Sequence, residues 1–397
     1  MKPIFTSIAA AGLLAAVALA QPAPRYSVID LGSLGGPGTI PFVFDMNNAG
    51  WVAGSSNLVA GGPQHAFVWF GGGPLLDLGT LEKGACPACN SGSGGPNGIG
   101  EVAIGSETSR MDPNGEDFCA YGTHRQCLAA VWRSGKMTAL PNLPGGYNAN
   151  AFGINDRGQL AGFAETGFAD TACAEATPFQ VNRFQAVLWG PGGEIQKLSP
   201  LERMGDTVGF AFGLNNSGQV AGSSGTCSTQ GLPPANATGL HAVLWEKDGT
   251  PTYLGTLGDS KNTKFNAAAS VNERGEVSGT SQFTDGTIHS FLWTRQTGMH
   301  DLGTLPGAFA TIAGCCRTLN NKGQVVGFSI DGETFESRAF LWENNVITDL
   351  NKLIPAGSGW ELQGAYSIND AGAIVGQGLR DGNVRAFLAI PRRGDSH

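Results

Sequence analysis

A motif cluster recurs seven times along this chain with a period of 48 to 60 residues. A repeat of that length constrains the fold more than any other feature, because each copy must be one supersecondary unit stacked on its neighbours. The first element is Asn-x-x-Gly, then an aliphatic residue and a second glycine, starting at Asn47, Asn97, Asn155, Asn215, Asn272, Asn320 and Asn369. The second is a short apolar run closing at Trp69, Trp132, Trp189, Trp245, Trp293 and Trp342, with Ala389 in the seventh copy. The third precedes a leucine, as in Leu76-Asp77-Leu78 and His300-Asp301-Leu302. One additional copy, Ile29-Asp30-Leu31, stands ahead of the first full cycle.

One unit reads as four strands. Ala269-Ser270-Val271 is followed by the tight turn Asn272-Glu273-Arg274-Gly275, then Glu276-Val277-Ser278-Gly279, His289-Ser290-Phe291-Leu292-Trp293 and Met299-His300-Asp301-Leu302. Four short antiparallel strands make one propeller blade. In Ala339-Phe340-Leu341-Trp342 consecutive side chains point to opposite faces, yet all are apolar, so both faces of the sheet are buried, as between blades. The rungs of a β-helix are much shorter than these units. The chain opens with a fourth-strand sequence, Tyr26 to Leu31, and closes with a third-strand sequence, Arg385-Ala386-Phe387-Leu388. The expected fold is therefore an all-β, seven-bladed β-propeller over residues 26–390. Strand exchange between the N- and C-termini would close it and remove exposed sheet edges. The repeated asparagine reads as a turn residue that bonds its own backbone. The unit at Asn97 reaches its closing glycine, Gly105, one residue late, which predicts a β-bulge there.

The N-terminus has the form of an export signal: Lys2, an apolar stretch from Ile8 to Ala20, and the small-x-small run Ala18-Leu19-Ala20. The expected layout is a signal peptide at 1–20 cleaved after Ala20, a linker at 21–25, the propeller, and a polar tail at 391–397. The apolar stretch falls short of the roughly 20 residues that span a bilayer, so no membrane span is expected. A net charge of −8 without a basic run argues against nucleic acid as a partner. The mature protein reads as a secreted or periplasmic monomer.

Connections between second and third strands share one face with those leading to the next blade. The spans 105–128, 162–185 and 222–241 are long there and their counterparts short, so blades two to four should raise a wall. Irregular loops on a rigid scaffold are where binding concentrates. The candidate contacts on that wall are Arg110, Asp112, Asp117, Tyr121, His124, Arg125, Glu165, Asp170 and Arg183.

All eight cysteines fall in loops of the same face, and an even count in an exported chain favours disulfides. Proximity in sequence suggests Cys86–Cys89, Cys119–Cys127, Cys173–Cys227 and a vicinal Cys315–Cys316. The Cys86-Pro87-Ala88-Cys89 spacing also fits a redox motif, but it lacks the βαβ context of one. The loop Asp112-Pro113-Asn114-Gly115-Glu116-Asp117 concentrates oxygen ligands, although its spacing is not that of an EF-hand; a solvated acidic loop is expected, with calcium the one weak metal candidate and no other cofactor. Neither a His-Glu-x-x-His nor a Gly-x-Ser-x-Gly motif occurs. His65, His241 and His289 share a position that other blades fill with Leu128, Gln185, Arg338 and Arg385, so no ring of histidine ligands forms.

The runs His65-Ala66-Phe67-Val68-Trp69, Asp301-Leu302-Gly303-Thr304-Leu305-Pro306-Gly307 and Leu319-Asn320-Asn321-Lys322-Gly323-Gln324-Val325-Val326-Gly327 resemble the extracellular HAF-repeat family of bacteria. The resemblance covers about residues 26–390. It implies an exported, propeller-like repeat protein and carries no catalytic residues across. Two functions compete. One is a non-catalytic binding or scaffold propeller for an extracellular polysaccharide or envelope protein. The other is a polysaccharide lyase or glycosidase working over the central channel, which would need convergent carboxylates at its mouth.

Overall fold

Small and β-branched residues alternate with Asn-Gly turns along the whole chain, and each such stretch forms a strand of three to ten residues. The computed structural model describes residues 25–176, 180–227, 241–258, 265–314 and 317–392. The expected signal peptide, most of the linker and tail, and the pair Cys315 and Cys316 lie outside the described residues.

The repeats fold as four-stranded antiparallel sheets in up-and-down order. Four of them occupy residues 41–79, 91–139, 149–197 and 208–253. The fifth and sixth units, residues 266–301 and 308–349, touch through one parallel pair, Ile288 with Ala310, and so form an eight-stranded sheet. The last sheet contains Trp360–Ile368, Ile374–Arg380 and Asn383–Pro391, and its fourth strand is Tyr26–Asp30 from the other end of the chain. The two terminal strands run antiparallel, with Tyr26 opposite Pro391 and Asp30 opposite Phe387. Arg25 adds a salt bridge to Glu343 of the sixth unit at 2.5 Å.

The apolar clusters lie between units. Ala53, Ala66 and Val68 of the first pack against Val102, Ile104 and Trp132 of the second; Val326 and Leu341 of the sixth pack against Leu362 and Phe387 of the last. Both faces of a sheet are thus covered, as the continuous apolar runs require. Trp189 and Trp245 are fully buried and donate their indole N–H to the carbonyls of Pro141 and Ser199, at 2.8 and 2.7 Å. Trp69 is only half-buried and donates to Gly73 in its own hairpin, so the equivalent tryptophans differ in weight.

The unit at Asn97 corrects an expectation. In four other units a second-strand glycine faces a phenylalanine of the third strand: Gly54 with Phe67, Gly279 with Phe291, Gly327 with Phe340 and Gly376 with Phe387. A Cβ at any of these glycines would lie 2.6–2.7 Å from the ring. In the second unit the facing residue is Ala130, and Ile104 takes the glycine's place. The late Gly105 therefore marks a large-for-small exchange across the pair, and the two strands stay in register from Val102 to Glu107. A register shift lies in the first strand instead, as it does in all seven units, and the second and third strands shift only beyond Glu107.

The repeated asparagines are buried and act twice. Each Oδ1 accepts the backbone N–H four residues on, which holds the turn. Each Nδ2 donates to the backbone carbonyl of the equivalent asparagine in the next unit, at 2.8–3.4 Å. The order runs 47 to 97, 155, 215, 272, 320 and 369, and Asn369 donates back to Asn47. Local turn chemistry explains only the first role. Asn320→Asp keeps the acceptor but loses the donor and sets two acceptors against each other. Urea unfolding should show a loss of about 1–3 kcal/mol, whereas a loss near zero would mean the side chain serves its own turn alone.

Candidate functional site

Two of the three long connections are not loops throughout. The second strands of the second and third units, Val102–Met111 and Leu160–Ala169, run to ten residues each. Their first seven residues are buried and their last three exposed, so both hairpins project beyond the sheets. Met111 and Phe168 sit on these projections with 59% and 69% of their surface exposed. The long connection of the fourth unit lies largely outside the described residues.

The wall is fixed from within. Disulfides join Cys86 to Cys89, Cys119 to Cys127 and Cys173 to Cys227, the last linking the third unit to the fourth. Phe118, from the second unit's loop, packs with Phe163, Phe184 and Phe210 of the next two units. Burial of these rings and the Cys173–Cys227 bridge removes freedom that exposed loops of this length normally keep.

The nine predicted contact residues separate into two groups. Arg110 and His124 are exposed; Tyr121, Arg125, Asp170 and Arg183 are half-buried. Arg183 and Asp170 form a salt bridge at 2.6 Å, which holds the Asp170 carboxyl below its usual range. Asp112, Asp117 and Glu165, expected as surface contacts, are buried. Asp117 caps a turn, accepting the amides of Tyr121 and Gly122, and so has no side-chain oxygen turned outward. Asp112 and Glu165 converge with Glu116, and no motif or spacing places Glu116 beside Glu165 of the neighbouring unit.

That convergence perturbs one of its carboxyl groups strongly. Burial, and then Glu116 at its side, push the Glu165 carboxyl up to about 9. The donors reaching the three carboxyl groups are neutral amides. Asn148 donates its Nδ2 to Asp112 Oδ2 at 2.8 Å, and the amides of Tyr147 and Asn148 reach Glu165 Oε2 at 3.1 Å. Glu116 Oε1 accepts from the amides of Val181 and Asn182, which ties the second unit's loop to the third unit.

A second candidate region is the cavity where the first strands meet. Phe44, Phe152 and Phe212 line it together with Asp45, Ser270 and Arg317. Burial pushes the Asp45 carboxyl up, while Arg317 nearby, the Ser367 hydroxyl and the Met46 amide pull it down. On the side of the Asn turns the mouth carries a polar ring. Backbone amides of Gly98, Asp156, Asn216, Glu273, Asn321 and Asp370 each donate to a side chain of the next unit at 2.6–3.0 Å. The carboxylates there are committed to these bonds. The half-buried inner aromatics carry no signal in sequence, because the repeats do not place phenylalanine regularly at that position. His65, His241 and His289 pair with Asp77, Asp206 and Asp301, which keeps them in strand-edge roles.

Comparison with known proteins speaks to the fold. A family model described as a protein of unknown function (DUF3466) matches residues 202–389. No curated protein matches the chain in sequence. A puromycin-hydrolyzing peptidase from Mycobacterium tuberculosis superposes with a TM-score of 0.52 at 12% identity, covering 90% of this chain and 52% of the peptidase. This chain thus spans about half the length of that protein. An oligogalacturonate lyase solved with manganese gives 0.52 at 10% identity, covering 94% of this chain and 97% of the lyase. A puromycin hydrolase gives 0.51 at 13% identity, over 90% of this chain and 53% of its own. The chain is an all-β protein with propeller-fold neighbours, and at such identities their activities do not transfer.

The raised Glu165 carboxyl has a signed consequence. An unfolded glutamate titrates near 4.5, so between about pH 5 and 9 the folded chain holds a proton that the unfolded chain has released. Stability from this site is present below that window and is lost as pH rises through it. Glu165→Gln should flatten the slope of Tm against pH across the window and raise Tm at pH 8 in chelator. Parallel slopes for the two proteins would show that Glu165 is ionised in the fold.

Proposed function

We propose that this chain is a seven-bladed β-propeller, completed by one strand from the N-terminus and three from the C-terminus, that works outside the cytoplasm as a non-catalytic binding or scaffold protein. Its recognition surface is the wall over the second to fourth blades, and its partner is an envelope protein or an extracellular polysaccharide. The observation that carries this reading is the pair of projecting hairpins with Met111 and Phe168 exposed at their ends. Large apolar side chains on an internally fixed projection leave a surface that is preorganised for contact. Arg110, which is exposed, and the half-buried Arg125 and Arg183 add charge around these tips. Three disulfides favour a compartment that is oxidising.

The competing reading is a lyase or glycosidase acting over the central cavity, and Asp45 with Arg317 is what favours it. Against it, Asp45 is 6% exposed and already bonded to Ser367 Oγ and the Met46 amide, which leaves it poorly placed to meet a substrate.

Two experiments test the reading. Removing residues 26–31 should lower Tm far more than removing 393–397, since the first opens the ring and the second trims a tail; equal losses overturn the closure. Met111→Asp with Phe168→Asp should leave Tm unchanged and abolish retention of envelope proteins and soluble glycans by the immobilised chain. Retention unaffected by the double change, or turnover of a bound glycan, overturns the binding assignment.

A further inference from the structure

One oxygen from each of Asp112, Glu116 and Glu165 lies within 4.8 Å of the other two, and all three residues are buried. Calcium holds its oxygens at about 2.3–2.6 Å, so ligands on opposite sides of one ion stand about that far apart. Among the described residues no Lys, Arg or His side chain is hydrogen-bonded or ion-paired to any of the three carboxyl groups. Three buried carboxyl groups met only by neutral amides have no positive partner among the described residues, so each must either keep a proton or meet a cation.

A separate observation points to a cation. Gln180 is 2% exposed, and its amide lies against the cluster with Nε2 at 3.1 Å from Glu165 Oε1 and 2.6 Å from the Asn182 carbonyl. Its Oε1 is buried and meets no donor among the described residues. The oxygen and nitrogen of a side-chain amide differ only in which way the group is turned. As placed, Nε2 satisfies Glu165 Oε1 and the Asn182 carbonyl and leaves Oε1 unmet; turned over, Oε1 joins those two acceptors, and a cation among them would satisfy all three.

We propose that Asp112, Glu116, Glu165 and Oε1 of Gln180 form a calcium site that locks the second unit's loop onto the third unit. The donors are all hard oxygens, anionic and neutral, with no thiolate or imidazole among them, which selects calcium or magnesium over zinc. They come from a loop of the second unit and from a strand and loop of the third, without the tight octahedron that magnesium requires, which favours calcium. The site is independent of what the wall binds: it fixes the scaffold beneath the hairpin tips.

The test uses the oxidised chain, residues 21–397, freed of metal with chelator and titrated with calcium chloride by calorimetry, with thermal unfolding in parallel. One calcium per chain should bind, and Tm should climb with each tenfold increase in calcium. Glu165→Gln, which keeps the shape of a protonated carboxyl, should fold as the wild type does in chelator and bind calcium at least tenfold more weakly. Gln180→Glu, which adds a charged ligand at the same place, should bind it several-fold more tightly. No uptake by the folded wild type at about 5 mM calcium, above the range of extracellular sites, overturns the proposal, and a proton shared by Glu116 and Glu165 then suffices. Affinity unchanged in both variants also overturns it, because the ion then sits elsewhere; magnesium bound as tightly as calcium overturns the choice of ion.

Discussion

One buried amide per repeat carries much of the order in this molecule. The asparagine that begins each turn uses its oxygen for its own backbone and its nitrogen for the equivalent carbonyl of the next unit. No other side chain of similar size has both a fixed acceptor and a fixed donor in one plane. Aspartate would hold the turn and repel the neighbour; serine would not reach. Because the donor of one unit needs the carbonyl of the next at a set place, the bond specifies the spacing between sheets as well as the turn within them. In five units a Glu or Gln four residues on takes a second contact from the same nitrogen, as Gln324 does from Asn320 at 2.7 Å. The buried amide is then fully satisfied, as a low-dielectric position demands.

Packing between sheets follows a second rule, in which bulk moves between strands while the filled volume stays the same. A phenylalanine lies over a glycine in four units, whereas the second unit places Ile104 over Ala130. Interiors at crystal-like density tolerate such exchanges when total volume is kept. The substitution also explains how unequal sequences build sheets that stack at one spacing, and it leaves the strand register untouched.

Upon this regular body the second and third units build something that repeats do not require. Their hairpins project, their loops are bridged by cysteines, and three carboxyl groups from two units meet under the projection. Order of that kind costs conformational entropy and brings buried charge together, neither of which the propeller body needs. Such departures from local rules are expected where a molecule does something besides fold. The polar mouth on the opposite face contrasts with this, since its carboxylates are spent on backbone amides of neighbouring units.

How much was legible in sequence follows from the range of each interaction. The strands, the turns, the apolar faces and the pairing of Cys86 with Cys89 and Cys119 with Cys127 depend on residues within about one unit, so periodicity and spacing reveal them. The partnership of Tyr26–Asp30 with the last strand was legible too, because a missing fourth strand and a spare one are both visible in the repeat. The projections of the second and third units were readable from loop lengths, but their surface was not. Asp112, Asp117 and Glu165 look like solvent-facing acids in a polar loop, and they are buried because Phe118 and Glu116 carry that loop across to the next unit. The asparagine's second bond, the exchange at Ile104 and the meeting of Glu116 with Glu165 each join residues from different strands or units, about 25 to 60 positions apart and, for Asn369 with Asn47, 322 apart. Sequence alone determined which elements form and in what order; the tertiary structure decided which side chains meet across them, because that depends on how one sheet is placed against the next.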